Sequence, residues 1–278
     1  MNATTAVVFP GQGSQTAEMR DLVAEVRPDL LEQVSEVVGS DPFPRTDEGT
    51  NFAQPAIFCA SLAGWEALGR PAGLMAGHSL GELAALVAAG ALDERDGLEL
   101  VALRGRLMHE SGLQAGDGGM VAVLGRGASD HAPEIAEASG LVVANDNSPQ
   151  QVVLSGAKER LPAALAHAKE LGLRATELDV TGAFHSPMMA AAVPEFARAL
   201  ARTTFTTPAV TVVSAVTAQP FTDPRRELAD ALTMPVRWRE TMLALRDLGA
   251  DRFIDVGPGR VLTGLAKRTL SDVELVNA

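Results

Sequence analysis

Hydrophobic and polar positions follow two periods along the chain, and each change of period marks an element. Thr5 to Phe9 is an apolar run of strand length, and the proline and glycines of Pro10-Gly-Gln-Gly-Ser-Gln15 predict a loop at its carboxyl end. Apolar positions then recur at helical spacing from about Glu18 to Val38. Phe52 to Leu68 is apolar nearly all round, which predicts a buried helix. Gly73 to Gly77 reads as a short strand running directly into an Ala- and Leu-rich helix from about Leu80. Asp93 is placed to cap a further helix that reaches Glu110 and ends near Gly112.

From Gly118 the elements become short and alternate. Strand Met120–Leu124, helix Asp130–Ala138, strands Leu141–Ala144 and Gln151–Leu154, helix Lys158–Leu171 and strand Leu173–Val180 give the order β-α-β-β-α-β. That is the ferredoxin-like split βαβ pattern. Beyond Pro187 the chain returns to helix, then strand Val210–Val213, helices between Arg225 and Leu248, strand Arg252–Val256 and a helix from Arg260. The reading is an α/β protein with a mainly parallel sheet in a large domain made of residues 1–117 and 182–278, interrupted by a small domain at 118–181.

Composition narrows the function classes. The chain has 278 residues, 46% hydrophobic and 21% charged, as expected of a globular protein. Its longest nearly uncharged apolar stretch, Leu83 to Leu92, is far short of the roughly 20 residues of a membrane helix. Neither a span nor a signal-peptide core is present, so a cytoplasmic location is expected, with no membrane partner. A formal charge of −12 opposes nucleic-acid binding. Cys59 stands alone, which removes disulfides, multi-thiolate zinc sites and CxxC pairs, and there is no tyrosine. The acid excess is uneven: residues 1–50 hold nine acids and three bases, residues 225–278 eight acids and nine bases. Arg225, Arg226, Arg239 and Arg246 in that last stretch are expected to form a basic surface for an acidic partner.

Gly77-His-Ser-Leu-Gly81 fits G-x-S-x-G between a strand and a helix, the setting in which a sharp turn exposes the serine hydroxyl. Ser79 is therefore a candidate nucleophile, and the N–H of Leu80 can face an oxyanion. The plainer reading is a serine that caps the helix. A nucleophilic serine needs a base. His109, His131 and His167 lie in helical patterns rich in charge, and His78 should point away from Ser79. His185 remains, at a strand exit in Thr181-Gly-Ala-Phe-His-Ser-Pro187, either a base or a loop histidine bonded to nearby backbone. Gln12 sits on a strand-end loop, the rim where open α/β sheets bind ligands. A dinucleotide loop there is disfavoured because Thr16 replaces the third glycine. Arg104 shares a helix face with Leu100, Leu107 and Ser111, so its guanidinium should be buried and needs an anion. Two anions are open: an internal partner such as Glu82, or a substrate carboxylate held in bidentate fashion. No His or Asp pair has metal-ligand spacing, so no metal is expected.

At these residues the sequence resembles malonyl-CoA:acyl carrier protein transacylases and the acyltransferase domains of polyketide synthases. The likeness runs through Phe9-Pro-Gly-Gln-Gly-Ser-Gln15, Gln54-Pro-Ala, Gly77-His-Ser-Leu-Gly-Glu82, Leu103-Arg-Gly-Arg-Leu-Met108, Asn145-x-Asn147-Ser-Pro149, Gly182-Ala-Phe-His-Ser-Pro187, Pro235-Val-Arg-Trp238 and Val256-Gly-Pro-Gly259.

The resemblance implies an α/β-hydrolase-like large domain with a ferredoxin-like small one. It makes Ser79 the nucleophile that takes an acyl group from coenzyme A and His185 its base, with the Leu80 and Gln12 backbone N–H groups as oxyanion hole. Arg104 would hold the free carboxylate of malonate. Phe184 matches the aromatic residue of malonyl-selective members and would crowd the alpha carbon. A backbone carbonyl in the Ala231-Leu232 pair, where the family commonly has Gln-Leu, would orient His185. The implied reaction is ping-pong transfer from malonyl-CoA to the phosphopantetheine thiol of an acyl carrier protein, with no bound cofactor, by a monomer of fatty acid or polyketide biosynthesis. The alternative is a thioester hydrolase using the same Ser79 and His185. Editing hydrolases of this kind tend to lose the arginine retained here as Arg104. The stretches between Val38 and Gln54 and between Leu68 and Gly77 are short for the family.

Overall fold

The computed structural model describes residues 4–277. In chain order it contains β1 (Thr4–Phe9), α1 (Met19–Val26), α2 (Pro28–Val38), α3 (Thr50–Ala67), β2 (Leu74–Gly77), α4 (Gly81–Ala88) and α5 (Glu94–Ala115). There follow β3 (Gly118–Leu124), α6 (Ala128–Ser139), β4 (Val142–Ser148), β5 (Gln151–Ala157), α7 (Leu161–Glu170) and β6 (Arg174–Glu177). The chain closes with α8 (Val193–Arg202), β7 (Val212–Val213), α9 (Pro224–Asp230), α10 (Trp238–Asp247), β8 (Ala250–Asp255), α11 (Val261–Thr269) and β9 (Glu274–Asn277).

Five strands form a wholly parallel sheet in the order β7-β2-β1-β8-β9. Successive strand residues face opposite ways, and β1 uses that alternation to serve two cores. Val7 and Phe9 join a large cluster with Ile57, Phe58 and Leu83 from α3 and α4, while Ala6 and Val8 join Trp238, Leu245 and Leu262 from α10 and α11. Burial on both faces explains why β1 reads as a continuous apolar run.

β3 to β6 form a separate antiparallel sheet in the order β4-β5-β3-β6. Val121 and Val123 of β3 pack under α6 and α7, and the alternate Met120 and Ala122 face the large core. Val236, in the segment between α9 and α10, pairs with Asn145 of β4 and ties that segment to the antiparallel sheet.

Several boundaries differ from the sequence expectation for local reasons. The helix expected over 18–38 breaks at Arg27, whose φ of −139° is non-helical, because Pro28 has no N–H and disfavours helix in the residue before it. Gly112 does not end α5. It lies inside the helix, where a Cβ would come within 2.6 Å of the Thr181 carbonyl oxygen, so the glycine serves a close backbone approach. Strand 173–180 shrinks to β6, and β9, a fifth strand after the last helix, was not expected. Among the described residues no helix is long and apolar enough to cross a membrane.

Candidate active site

Ser79 stands between the end of β2 and the start of α4 with φ of 55°, a left-handed conformation that costs a non-glycine residue on the order of 1–3 kcal/mol. The flanking glycines make that turn sterically possible. A Cβ on Gly77 would lie 1.9 Å from the backbone of Gly81, and one on Gly81 would lie 2.2 Å from the Phe9 carbonyl oxygen. The turn therefore sits directly against the end of β1, beside the Pro10–Gln15 loop.

His185 also has a φ of 55° and is 5% exposed. Its Nε2 lies 2.9 Å from Ser79 Oγ, and its Nδ1 lies 2.7 Å from the Ala231 carbonyl oxygen. A carbonyl can only accept, so Nδ1 carries the proton and Nε2 offers its lone pair to the serine hydroxyl. The backbone partner falls in the expected Ala231-Leu232 pair. Burial and then the charge of Arg104 push the His185 pKa down to about 3. The imidazole therefore stays neutral through the range in which an ordinary histidine protonates. Because the unfolded chain takes up that proton below about 6.5 and the native state does not, His185 makes stability fall as pH drops from there towards 3.

For the same reason, the rate of serine acylation should hold through pH 6.5, where an unperturbed imidazole would lose half its base. In Arg104→Ala, which removes the second largest cause of the lowering, the acid limb should rise towards the ordinary value. A pH–rate profile of both proteins checks this; a wild-type limb near 6.5 would contradict it.

Arg104 projects from α5 into the same place and is 2% exposed. One guanidinium nitrogen donates to Gln54 Oε1 at 2.8 Å and another to Ser79 Oγ at 3.1 Å. Of the two anions left open by the sequence, Glu82 is not in contact. Its carboxylate instead accepts the Ala215 N–H at 2.7 Å and the Ser214 hydroxyl at 3.3 Å, and burial pushes its pKa up to about 7. Burial likewise lowers the Arg104 pKa to about 10, with Glu82 opposing the shift from a distance. A desolvated cation without an anionic contact thus lies beside the serine hydroxyl.

These groups open onto a cavity of 490 Å³ lined among others by Gln12, Leu80, Met120, Val153 and Phe184. Leu80 and Gln12 have backbone N–H groups that donate to no other group among the described residues. Phe184 is 5% exposed and contributes its ring to the wall. Of the six residues singled out from the sequence, Ser79, His185, Gln12, Leu80 and Phe184 line one cavity, and Arg104 reaches it through its contact with Ser79.

Sequence reasoning assigned no role to Gln54, which anchors Arg104 and is itself oriented by donating to the Met108 sulfur at 3.3 Å. A signal was present: Gln54 is the one amide between Phe52 and Leu68, a stretch apolar nearly all round. Of the other histidines, only His78 lines the cavity among the described residues. His131 and His167 meet Glu134 on the surface, and the His78 ring bonds Asn147 rather than Ser79. Of the four arginines of the expected basic surface, Arg225, Arg226 and Arg246 are exposed, Arg225 also donating to the Leu200 and Thr203 carbonyls, while Arg239 is half-buried and pairs with Asp146 at 2.8 Å. Among the described residues no three His, Cys, Asp or Glu side chains converge as a metal would require.

Residues 6–278 match the family model for the acyl transferase domain. A malonyl CoA-acyl carrier protein transacylase from Synechocystis is 38% identical over 98% of this chain and 96% of its own length. The crystal structure of the malonyl-CoA:acyl carrier protein transacylase from Xanthomonas oryzae pv. oryzae is 36% identical, covers 100% of this chain and 95% of its own, and superimposes with a TM-score of 0.90. A malonyl-transacylase solved in complex with its type II polyketide synthase acyl carrier protein gives 0.89 at 35% identity, over 99% of this chain and 96% of the other. With a match of this extent around such a site, the chain belongs to the acyl transferase domain family.

Proposed function

We infer that the protein transfers a malonyl group from malonyl-CoA to the phosphopantetheine thiol of an acyl carrier protein through a seryl ester. The observation that carries this reading is Arg104, a buried guanidinium in contact with the nucleophile's oxygen and with no carboxylate in contact with it. An acyl group that brings its own carboxylate supplies the missing anion, and bidentate pairing would fix the thioester carbon over Ser79. Relatives named as malonyl transacylases, one of them solved with its carrier, support the same substrate pair.

The steps follow from the geometry. Ser79 Oγ gives its proton to His185 Nε2 and bonds to the thioester carbon, and the oxyanion is met by the N–H groups of Leu80 and Gln12. The carbon–sulfur bond breaks, and His185 returns the proton to the coenzyme A thiolate. In the second half the carrier's thiol gives its proton to His185 and attacks the ester, and Ser79 leaves as the hydroxyl. A thioester enters and a thioester departs, so no outside energy source is needed.

The large part of the molecule is read as α/β-hydrolase-like and the βαββαβ part as ferredoxin-like, with division at 1–117, 118–181 and 182–278. The antiparallel order β4-β5-β3-β6 under α6 and α7 supports the second label. Met1 to Ala3 and Ala278, at the outer limits of these bounds, lie outside the described residues.

Incubation with malonyl-CoA should add one malonyl group to the protein, mapped to Ser79 by peptide mass, and addition of phosphopantetheinylated carrier should move it to the carrier. Release as free malonate instead would make the enzyme a hydrolase. The buried ring of Phe184 bears on the choice of acyl group. One methyl is worth only ~1–3 kcal/mol, so a malonyl preference over methylmalonyl of roughly 10- to 200-fold is the ceiling. Phe184→Ser should narrow that ratio in a competition assay, and an unaltered ratio would place selectivity elsewhere.

A further inference from the structure

His78 precedes the nucleophile, yet its ring turns away from it, and five pieces of the molecule meet on this residue. Its N–H donates to the Phe9 carbonyl at the end of β1 (2.9 Å), and its own carbonyl accepts from Gly81 at the start of α4 (3.0 Å). Its Nε2 lies 2.8 Å from Asn147 Oδ1 on β4. The loop that carries Gln12 rests on it so closely that a Cβ on Gly11 would stand 2.7 Å from the His78 carbonyl oxygen and 2.9 Å from its Nδ1. The buried Trp238 ring meets the imidazole edge-on, with centroids 5.4 Å apart.

The Asn147 end is anchored in turn. Val236 donates to the Ala144 carbonyl at 2.8 Å, and Asp146 donates to the Val236 carbonyl at 2.9 Å. Arg237 donates to the Ala215 carbonyl at 2.7 Å, and the Ala215 N–H returns to Glu82 on α4 at 2.7 Å. A closed circuit of hydrogen bonds therefore runs from the Ser79 turn through β4 and the Val236 segment back to the helix that follows Ser79. The His78–Asn147 bond is the side-chain link that closes it between the two sheets.

We propose that His78 is a positioning residue for the oxyanion hole: bonded to Asn147, it clamps the Ser79 turn and the Gln12 loop against the antiparallel sheet so that the Leu80 and Gln12 N–H groups converge on one point. The two donors come from different loops, and Ser79 holds a conformation its residue type disfavours, so neither loop defines that point alone. The inference rests on Ser79 being the nucleophile of the proposed transfer. It concerns alignment and not substrate affinity, which gives it a distinct kinetic signature.

The test measures two rates in the full chain: acylation by malonyl-CoA, and labelling of Ser79 by a small fluorophosphonate that also needs an oxyanion hole. Asn147→Ala, His78→Ala and the volume-keeping Asn147→Leu should each lower both rates roughly 10- to 100-fold, as a displacement of about 1 Å would, with the malonyl-CoA KM unchanged. His78→Gln, whose amide can place a donor near the lost Nε2, should recover most of the loss. His78→Ala combined with Asn147→Ala should be no worse than either alone. A raised KM with kcat unchanged would make Asn147 a substrate contact and overturn the proposal. So would unaltered rates, or failure of His78→Gln to exceed His78→Ala. If the wild type takes the fluorophosphonate but not malonate, the malonyl reading fails while the labelling rates still decide the role of His78.

Discussion

Ser79→Ala is expected to form no malonyl-enzyme and to lower malonyl transfer by about a millionfold, the scale on which a serine nucleophile's loss is felt when its base remains in place. His185 would keep its bond to the Ala231 carbonyl, but its Nε2 would face no hydroxyl to deprotonate. Intact-protein mass after exposure to malonyl-CoA should show one added malonyl group on the wild type and none on the variant, and label on Ser79→Ala would remove the assignment. The backbone offers an independent check. With φ at 55°, alanine at position 79 inherits the strain of the turn, whereas Ser79→Gly relieves it. Ser79→Gly should therefore melt higher than Ser79→Ala although both are inactive.

Arg104→Ala should cost malonyl transfer ~3–5 kcal/mol, or roughly a hundred- to several-thousand-fold in kcat/KM, because it strips a desolvated carboxylate of its partner. Acetyl-CoA, which has no carboxylate, should gain relative to malonyl-CoA. The geometry sharpens the expectation. Arg104 touches Gln54 and Ser79 and no acid, so its removal breaks no ion pair in direct contact. Measuring kcat/KM for both thioesters beside the melting temperature separates the roles. Equal losses on the two substrates, with a lowered melting temperature, would assign Arg104 to stability and refute the carboxylate clamp.

Much of this site is legible in the chain because its chemistry is local. The G-x-S-x-G turn needs its two glycines within four residues of each other, and the clash distances at Gly77 and Gly81 express a constraint already contained in that short peptide. The same holds for the β-α-β-β-α-β order, where each strand and helix declares its own period. It holds for the burial of Arg104, which follows from the helix face it shares with Leu100 and Leu107.

What needed the folded molecule is every relation across a long loop. Ser79 and His185 are 106 residues apart, and only the packing of the 182–186 segment beside the parallel sheet sets Nε2 at 2.9 Å from Oγ. Spacing left open whether Arg104 met Glu82 or a substrate. The fold takes Glu82 out of direct contact by giving it the Ala215 and Ser214 donors, because a buried carboxylate takes the nearest hydrogen bonds available. Gln54 and Asn147 stood in view as residues without roles, since an amide acquires one only when a partner from another element reaches it. Helix limits slipped where tertiary contact overrode local preference, as at Gly112, held inside α5 by the approach of Thr181. Periodicity, turns and single-helix faces are set by neighbours in sequence and were determined there; the convergence of imidazole and guanidinium on the Ser79 oxygen depends on chain closure and packing, which only the tertiary structure supplies.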